Sequence, residues 1–248
     1  MIAELAPERR ETENEFRIVF LIGNGSRLKG ILDRILDDPG ISVTYVASHR
    51  KPKDGAKDII GIAEAKNRKP SIPTGYWIRP QMNAADKRTN SAHDDNEYKA
   101  TYMRILGDFI SQENYRPNLV VMTGWDLILD QNIIDKIHAA GARIINVHPH
   151  PLPGTDAKFI ETPDGTEAEV KRGTEAWVQA IDSGLTWSGA TVHEVLDDKF
   201  DTGPVLAIEW IPIEPGETAD SLRGKLNTIE DKLVPQAIKK IKEESKSA

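Results

Sequence analysis

The sequence predicts an α/β fold: a doubly wound (Rossmann-like), mostly parallel sheet extended by C-terminal antiparallel strands and a C-terminal helix. Three observations carry this expectation. Strand-like and helix-like segments alternate from residue 16 to about residue 148, the pattern of βαβ units. After residue 185 the pattern changes to two segments of period-two alternation, which read as antiparallel strands. A chain of 248 residues, 39% hydrophobic and 29% charged, can bury a substantial core in one or two domains.

Phe16 to Ile22 (FRIVFLI) is a short apolar, β-branched run ended by Gly-Asn-Gly-Ser, so it reads as a buried strand. Apolar residues at 28, 31, 32, 35 and 36 then have helical spacing, and Asp37-Asp38-Pro39-Gly40 stops them. Ile41 to Ala47 is a second strand, Ala56 to Ala65 a helix and Ser71 to Ile78 a short third strand. Residues 79–97 are polar and read as a loop. A helix follows over Tyr98 to Ile110, a strand over Leu119 to Met122, a helix over Ile133 to Ala140 ended by Gly141, and a strand over Ala142 to Val147. Gly189 to Val195 and Val205 to Ile213 alternate, with Asp-Thr-Gly-Pro between them. Pro215-Gly216-Glu217-Thr218 opens the last helix, expected to break or kink near Pro235.

Composition excludes several functions. Thirty-two basic against 39 acidic residues give net charge −7, contrary to a general nucleic-acid binder but compatible with a local site for a small phosphate. The absence of cysteine removes thiol nucleophiles, disulfides and Cys-ligated metal clusters. No apolar run reaches the ~20 residues of a membrane span. The first fifteen residues lack the apolar stretch of a secretory signal and read as a charged extension.

Gly23-Asn24-Gly25-Ser26 lies between a strand and a helix. Glycines allow a tight turn and close backbone approach, and a helix N-terminus favours an anion, so the turn suits a phosphate. Ser26 is the expected N-cap and Arg27 the formal positive charge. An ordinary βα turn has the same composition. The dinucleotide fingerprint needs glycine where Leu28 stands, and no Walker lysine follows.

Asn146-Val147-His148-Pro149 ends the last strand of the parallel series, with residues 146 and 148 on one face. An amide beside an imidazole can bind an oxyanion and move a proton. The bland alternative is a hydrogen-bonded polar pair. His150 invites a metal reading, but no second cluster with ligand spacing joins it, so no metal is expected. Asp197, Asp198 and Asp201 lie on the connection before an alternating strand; a carboxylate near a histidine would hold its orientation and raise its pKa. An acidic turn is the plain reading. Trp125 follows a strand and can line a pocket for a flat ring, whereas Trp177, Trp187 and Trp210 read as packing residues. Glu230 on its helix reads by default as solvated, as does the lysine run 239–242.

Together these residues resemble the folate-dependent formyltransferase family. The likeness runs in order through RIVFLIGNGSRLKGIL at 17–32, LVVMTGWDLIL at 119–129, INVHPHPLPG at 145–154, ATVHEV at 190–195, DTGPVL at 201–206 and LNTIEDKLVP at 226–235. It implies formyl transfer from 10-formyltetrahydrofolate to a primary amine, here that of glycinamide ribonucleotide in purine biosynthesis, in the cytoplasm. It implies Asn146, His148 and Asp201 as the catalytic group, with Asp198 the fallback for Asp201. Gly23, Asn24, Gly25, Ser26 and Arg27 would hold the substrate phosphate, and Asn227 and Glu230 the ribose and amine. Trp125, Asp126, Leu127, Ile128 and Leu129, with Asn146, Asp197 and Asp198, would cradle the folate.

Residues 16–248 then form one domain, with a phosphate half over 16–120 and a catalytic and folate half over 121–248. The partners are small molecules, with no nucleic acid or membrane, and the protein is a monomer or homodimer. The chain departs from the family at His150-Pro151, at a longer stretch over 156–174, and at one extra residue between His193 and Asp201. A nucleotide-linked amino sugar as acceptor, or a non-catalytic binder of a phosphorylated ligand, are the alternatives. No basic C-terminal domain for tRNA and no N-terminal regulatory domain of a formyltetrahydrofolate hydrolase is read in the chain.

Overall fold

The computed structural model describes residues 15–53, 56–78 and 92–246. Residues 1–14 of the expected N-terminal extension and residues 79–91 of the expected loop lie outside them. The elements are β1 (Phe16–Ile22), α1 (Leu28–Ile35), β2 (Ile41–Ser48), α2 (Ile60–Asn67), β3 (Thr74–Tyr76), α3 (Ala92–Ile110), β4 (Leu119–Thr123) and α4 (Gln131–Ala139). There follow β5 (Arg143–His148), β6 (Phe159–Glu161), β7 (Glu167–Glu169), α5 (Ala176–Asp182), β8 (Trp187–Glu194), β9 (Val205–Pro212) and α6 (Ala219–Lys246). The main sheet has the strand order β3-β2-β1-β4-β5-β8-β9. This is the expected doubly wound sheet with antiparallel strands added at its C-terminal end.

Two compact units divide the chain: Met1–Gly25 with Ser42–Arg143, and Ser26–Ile41 with Ile144–Ala248. In the first, β1 pairs in parallel with β4 from Ile18 opposite Leu119 to Ile22 opposite Thr123, and β2 pairs in parallel with β3. A strand covered on both faces needs a nearly continuous apolar run, which is why FRIVFLI is buried throughout except at Arg17. Tyr45, Trp77, Phe109 and Tyr115 pack together with ring centroids 4.7–4.9 Å apart. Asp130 caps α4, its carboxylate accepting from the Ile133 N–H at 3.1 Å.

In the second unit, β5 pairs antiparallel with β8 and β8 antiparallel with β9, with a bulge between Val192 and His193. α1 and α6 pack together through apolar faces, Ile31, Leu32 and Ile35 on one and Leu226, Leu233, Val234 and Ile238 on the other being buried. The expected break at Pro235 does not occur: α6 runs as a single 28-residue helix through it. Its apolar face is buried on both sides of Pro235, and this packing outweighs one lost backbone hydrogen bond.

The long stretch after Pro153 forms a small antiparallel hairpin, β6–β7. Its turn is held by Asp164, which accepts from the Thr162 and Thr166 hydroxyls and the Thr166 N–H. The Trp187 indole N–H also reaches Asp164, at 3.0 Å. At the base, Arg172 donates to the Thr155 and Ala157 carbonyls. Residues 92–97, expected in a loop, are the first turns of α3.

Candidate active site

Asn146 and His148 leave one face of β5 because they are two residues apart on a strand. Register sets His193 of β8 directly opposite Asn146, and Thr191 opposite His148. Asp201 enters from the β8–β9 connection. Its backbone is left-handed (φ 50°), an uncommon conformation for a non-glycine residue that costs roughly 1–2 kcal/mol. Two residues on, Gly203 has φ 105°, and a Cβ there would collide with the Glu194 carbonyl, so the return into β9 requires glycine.

The three expected catalytic side chains therefore gather within the second unit. His148 Nδ1 lies 3.3 Å from Asp201 Oδ2, which also accepts the Gly173 N–H at 2.9 Å. His148 Nε2 lies 2.8 Å from the Lys171 carbonyl oxygen, at the foot of the hairpin. Both ring nitrogens thus face oxygen within the protein. His193 joins the group: its Nδ1 lies 3.0 Å from the Thr202 carbonyl and 3.2 Å from that of Glu194, and its Nε2 lies 3.4 Å from Asn146 Nδ2 and 3.9 Å from Asp201 Oδ1. His148 and His193 are each 3% exposed. Burial pushes both imidazoles below their ordinary pKa, and Asp201 opposes the shift without overcoming it. The carboxylate raises the histidine as expected, but desolvation is the larger effect and the net shift is downward. His150 is buried too, and burial with the neighbouring His148 lowers it to about 3. Neither of its nitrogens meets a partner in hydrogen-bonding geometry, although the Glu169 backbone is near.

Of the remaining acidic candidates, Asp197 binds the Lys199 N–H at 3.1 Å within its own turn, and Asp198 is exposed. Asp201, not Asp198, is the neighbour of His148.

Gly23, Asn24 and Gly25 of the glycine turn belong to the first unit, and Ser26 and Arg27 to the second. In the first, a Cβ on Gly23 would collide with the Gly124 carbonyl, and one on Gly25 would press on Gly61, so both glycines permit close backbone approach. Asn24 is exposed, and its carbonyl accepts the Gly61 N–H at 3.0 Å. In the second, Ser26 is exposed and is not the N-cap. Arg27 holds that position, without a side-chain capping bond. Its Nε instead binds Glu230 Oε2 at 3.2 Å, while Arg223 Nη1 binds Glu230 Oε1 at 2.6 Å. Glu230 is 3% exposed, so it is not the solvated helix carboxylate of the default reading. Arg223 also stacks over Trp177 at 4.6 Å. Asn227, one turn before Glu230, has a buried carbonyl oxygen without a hydrogen-bond partner.

In the first unit, Trp125 and Leu129 are buried, Leu127 is half-buried and Ile128 is 44% exposed. The Asp126 carboxylate is held by the His49 Nε2 and, at 2.5 Å, by Arg50 Nη2. The His49 hydrogen bond first, and Arg50 second, keep this carboxyl far below the ordinary range. Trp125 packs edge-on to His49, and the Trp125 indole N–H and His49 Nδ1 are buried without partners.

Sequence reading missed four participants. His193 lies within ATVHEV, where a single histidine on an alternating strand signals no role by itself. Arg223 carried no signal apart from its position one helical face from Glu230. The Lys171 carbonyl and Gly173 N–H are backbone groups and invisible in side-chain patterns. The hairpin that brings them was signalled by Thr162-Pro163-Asp164-Gly165, a strong turn sequence.

A doubly wound sheet with an amide, imidazoles and a carboxylate at the end of its last parallel-series strand is a scaffold for acyl-group transfer. The chain belongs to the formyl transferase family, whose model it matches over residues 16–238. Among relatives, it is 27% identical to phosphoribosylglycinamide formyltransferase of Bacillus subtilis, over 90% of this chain and 92% of that one, and 28% identical to that of Schizosaccharomyces pombe, over 90% and 95%. It also matches the bovine trifunctional purine biosynthetic protein adenosine-3 at 23% identity, spanning 89% of this chain but 18% of that longer protein. The fold is shared with glycinamide ribonucleotide transformylase 1 of Symbiobacterium toebii, with a TM-score of 0.68 and 23% identity over 94% of this chain and 90% of that one. Among the described residues, no helix is long and apolar enough to cross a membrane and no group of His, Cys, Asp and Glu is arranged to hold a metal ion.

Proposed function

We propose that this protein transfers the formyl group of 10-formyltetrahydrofolate to the primary amine of glycinamide ribonucleotide, in the cytoplasm. The observation that carries the reading is the convergence of Asn146, His148 and Asp201 in a member of the formyl transferase family. The relatives named above support the choice of acceptor.

In the reaction the amine nitrogen attacks the formyl carbon, a C–N bond forms, and negative charge develops on the formyl oxygen. The bond from that carbon to the folate nitrogen then breaks. The amine gives up a proton and the folate nitrogen gains one. The Asn146 amide and an N–H of His148 stabilise the developing oxyanion, typically a few kcal/mol per donor. Asp201 orients His148 and takes part in the proton movement through a water. Burial disfavours the His148 imidazolium and Asp201 favours it, and negative charge developing on the formyl oxygen acts in the same direction as Asp201. Because His148 Nε2 rests on the Lys171 carbonyl, that contact is exchanged for the formyl oxygen at the reacting stage. The turn Gly23–Arg27 receives the phosphate, Asn227 and Glu230 the ribose and amine, and the segment Trp125–Leu129 with Asp197 and Asp198 the folate.

One observation favours a different acceptor: Glu230 is engaged by two guanidiniums rather than left open for a cationic amine. Steady-state assays with glycinamide ribonucleotide and with a nucleotide-linked amino sugar, compared by kcat/KM, separate the two. Formylated glycinamide ribonucleotide is the expected product. Its absence at high enzyme concentration overturns the reading, and calorimetric binding of the substrate without turnover identifies a ligand-binding homologue.

A further inference from the structure

We infer that His193 is a positioning residue that fixes which face of the Asn146 amide is turned to the substrate. The inference rests on the proposed role of Asn146 as an oxyanion donor. It begins from hydrogen placement. His193 Nδ1 lies within 3.0 and 3.2 Å of two carbonyl oxygens, those of Thr202 and Glu194, and a carbonyl can only accept. The Nδ1 proton is therefore fixed. In the neutral ring, Nε2 is then a lone pair. The polar atom across the strand pair is Asn146 Nδ2, at 3.4 Å, a long hydrogen bond with the amide donating. The flipped amide would set its carbonyl oxygen against that lone pair, two acceptors face to face. His193 thus selects the rotamer in which the NH2 group is held, leaving its second N–H to point elsewhere.

The bulge between Val192 and His193 re-aims this side chain relative to β9. The titratable groups facing His193 are Asp201, with Oδ1 at 3.9 Å, and His148 from β5. Both β8 and the Asp201 connection hold the ring, so it is a rigid support of the kind a donor needs when a small misplacement costs about 100-fold in rate.

Two substitutions divide the ring's roles. His193→Asn retains a donor near the Nδ1 position and loses the acceptor at Nε2. His193→Gln places a carbonyl oxygen near Nε2 and loses the Nδ1 donor. With glycinamide ribonucleotide and 10-formyltetrahydrofolate, the expected result is that His193→Asn loses about 100-fold in kcat with both KM values unchanged, and that His193→Gln recovers most of kcat. The side-chain NH2 resonances of Asn146, assigned by loss in Asn146→Asp, are expected to shift in His193→Asn and to stay near wild type in His193→Gln. Wild-type kcat and unchanged Asn146 resonances in His193→Asn overturn the inference. So does an equal loss in both variants with unmoved resonances. If the wild type shows no turnover, the proposed reaction fails, and the resonances alone decide whether His193 orients the amide.

Discussion

Asp126 and Asp201 each stand beside a histidine, yet their surroundings differ. In the first unit, Asp126 follows β4 and is gripped by His49 and by the Arg50 guanidinium at 2.5 Å, so its carboxyl stays ionised far below the ordinary range. In the second, Asp201 meets the Gly173 N–H and two buried imidazoles. A carboxylate paired with a guanidinium is a fixed charge, because arginine does not release its proton. A carboxylate set against two imidazoles faces rings that can each gain or lose a proton, although burial disfavours the charged ring in both. One pair thus holds a fixed charge and the other, the proposed catalytic group, sets a carboxylate against rings able to carry a proton, although both contain the same pair of residue types.

The largest expected effect tests that separation directly. His148→Ala should cost about 10³-fold in kcat, the upper range for losing one oxyanion donor, with the circular dichroism spectrum retained. His49→Ala should leave kcat near wild type and change KM for the folate. Equal losses in the two variants would break the comparison.

Acidification should part the two regions in order. His150 titrates near 3 in the folded chain against about 6.5 when unfolded. Below pH 6.5 the unfolded chain binds a proton that the folded chain refuses, so stability falls toward pH 3 by about 1.4 kcal/mol per pH unit for this group. His148 and His193 are lowered in the same direction and add to the loss. The depressed Asp126 carboxyl contributes in the opposite window: its stabilisation is complete above about pH 4, the unfolded value, and is lost only as pH falls further. Hydrogen exchange between pH 7 and 4 should therefore show protection fading first in β5 and β8, while β1 and β4 keep theirs. His150→Leu should flatten the pH dependence of the denaturation midpoint above pH 4.

A smaller effect concerns Glu230. Arg223→Ala removes one of its two cations and the stack on Trp177, leaving a buried carboxylate with Arg27 alone. Urea denaturation should register a loss of about 1–3 kcal/mol. Arg50→Ala beside the more exposed Asp126 should cost about 1 kcal/mol or less. A reversal of that order would mean that burial does not govern the worth of these pairs.

How far the sequence revealed this arrangement depended on what carried the signal. Phe16–Ile22 and Leu119–Thr123 were legible because a strand covered on both faces must be apolar throughout. The amide–imidazole pair was legible because alternate residues of a strand share a face. The approach of Asp201 to His148 joins residues 53 positions apart, and only the folded β8–β9 connection with its left-handed Asp201 brings them together. The sign of the histidine shifts was illegible for the same reason: it is set by burial, to which several elements contribute. The hairpin escaped notice because Phe159–Glu161 and Glu167–Glu169 are three-residue strands with mostly exposed side chains, too short and too polar to give a period.

That hairpin supplies the finest test. It places the Lys171 carbonyl on His148 Nε2, the atom through which His148 would serve the formyl oxygen, and Arg172 ties its base to Thr155 and Ala157. Arg172→Ala should loosen the foot of the hairpin and weaken the competing hydrogen bond. Its cationic charge also disfavours the His148 imidazolium, so its loss acts in the same direction. A typical net hydrogen bond of about 1 kcal/mol corresponds to roughly a fivefold rise in kcat/KM. Steady-state kinetics should register that rise together with faster solvent exchange of the His148 ring N–H. A fall in kcat/KM would mean that the carbonyl supports His148 during the reaction instead of yielding to the substrate.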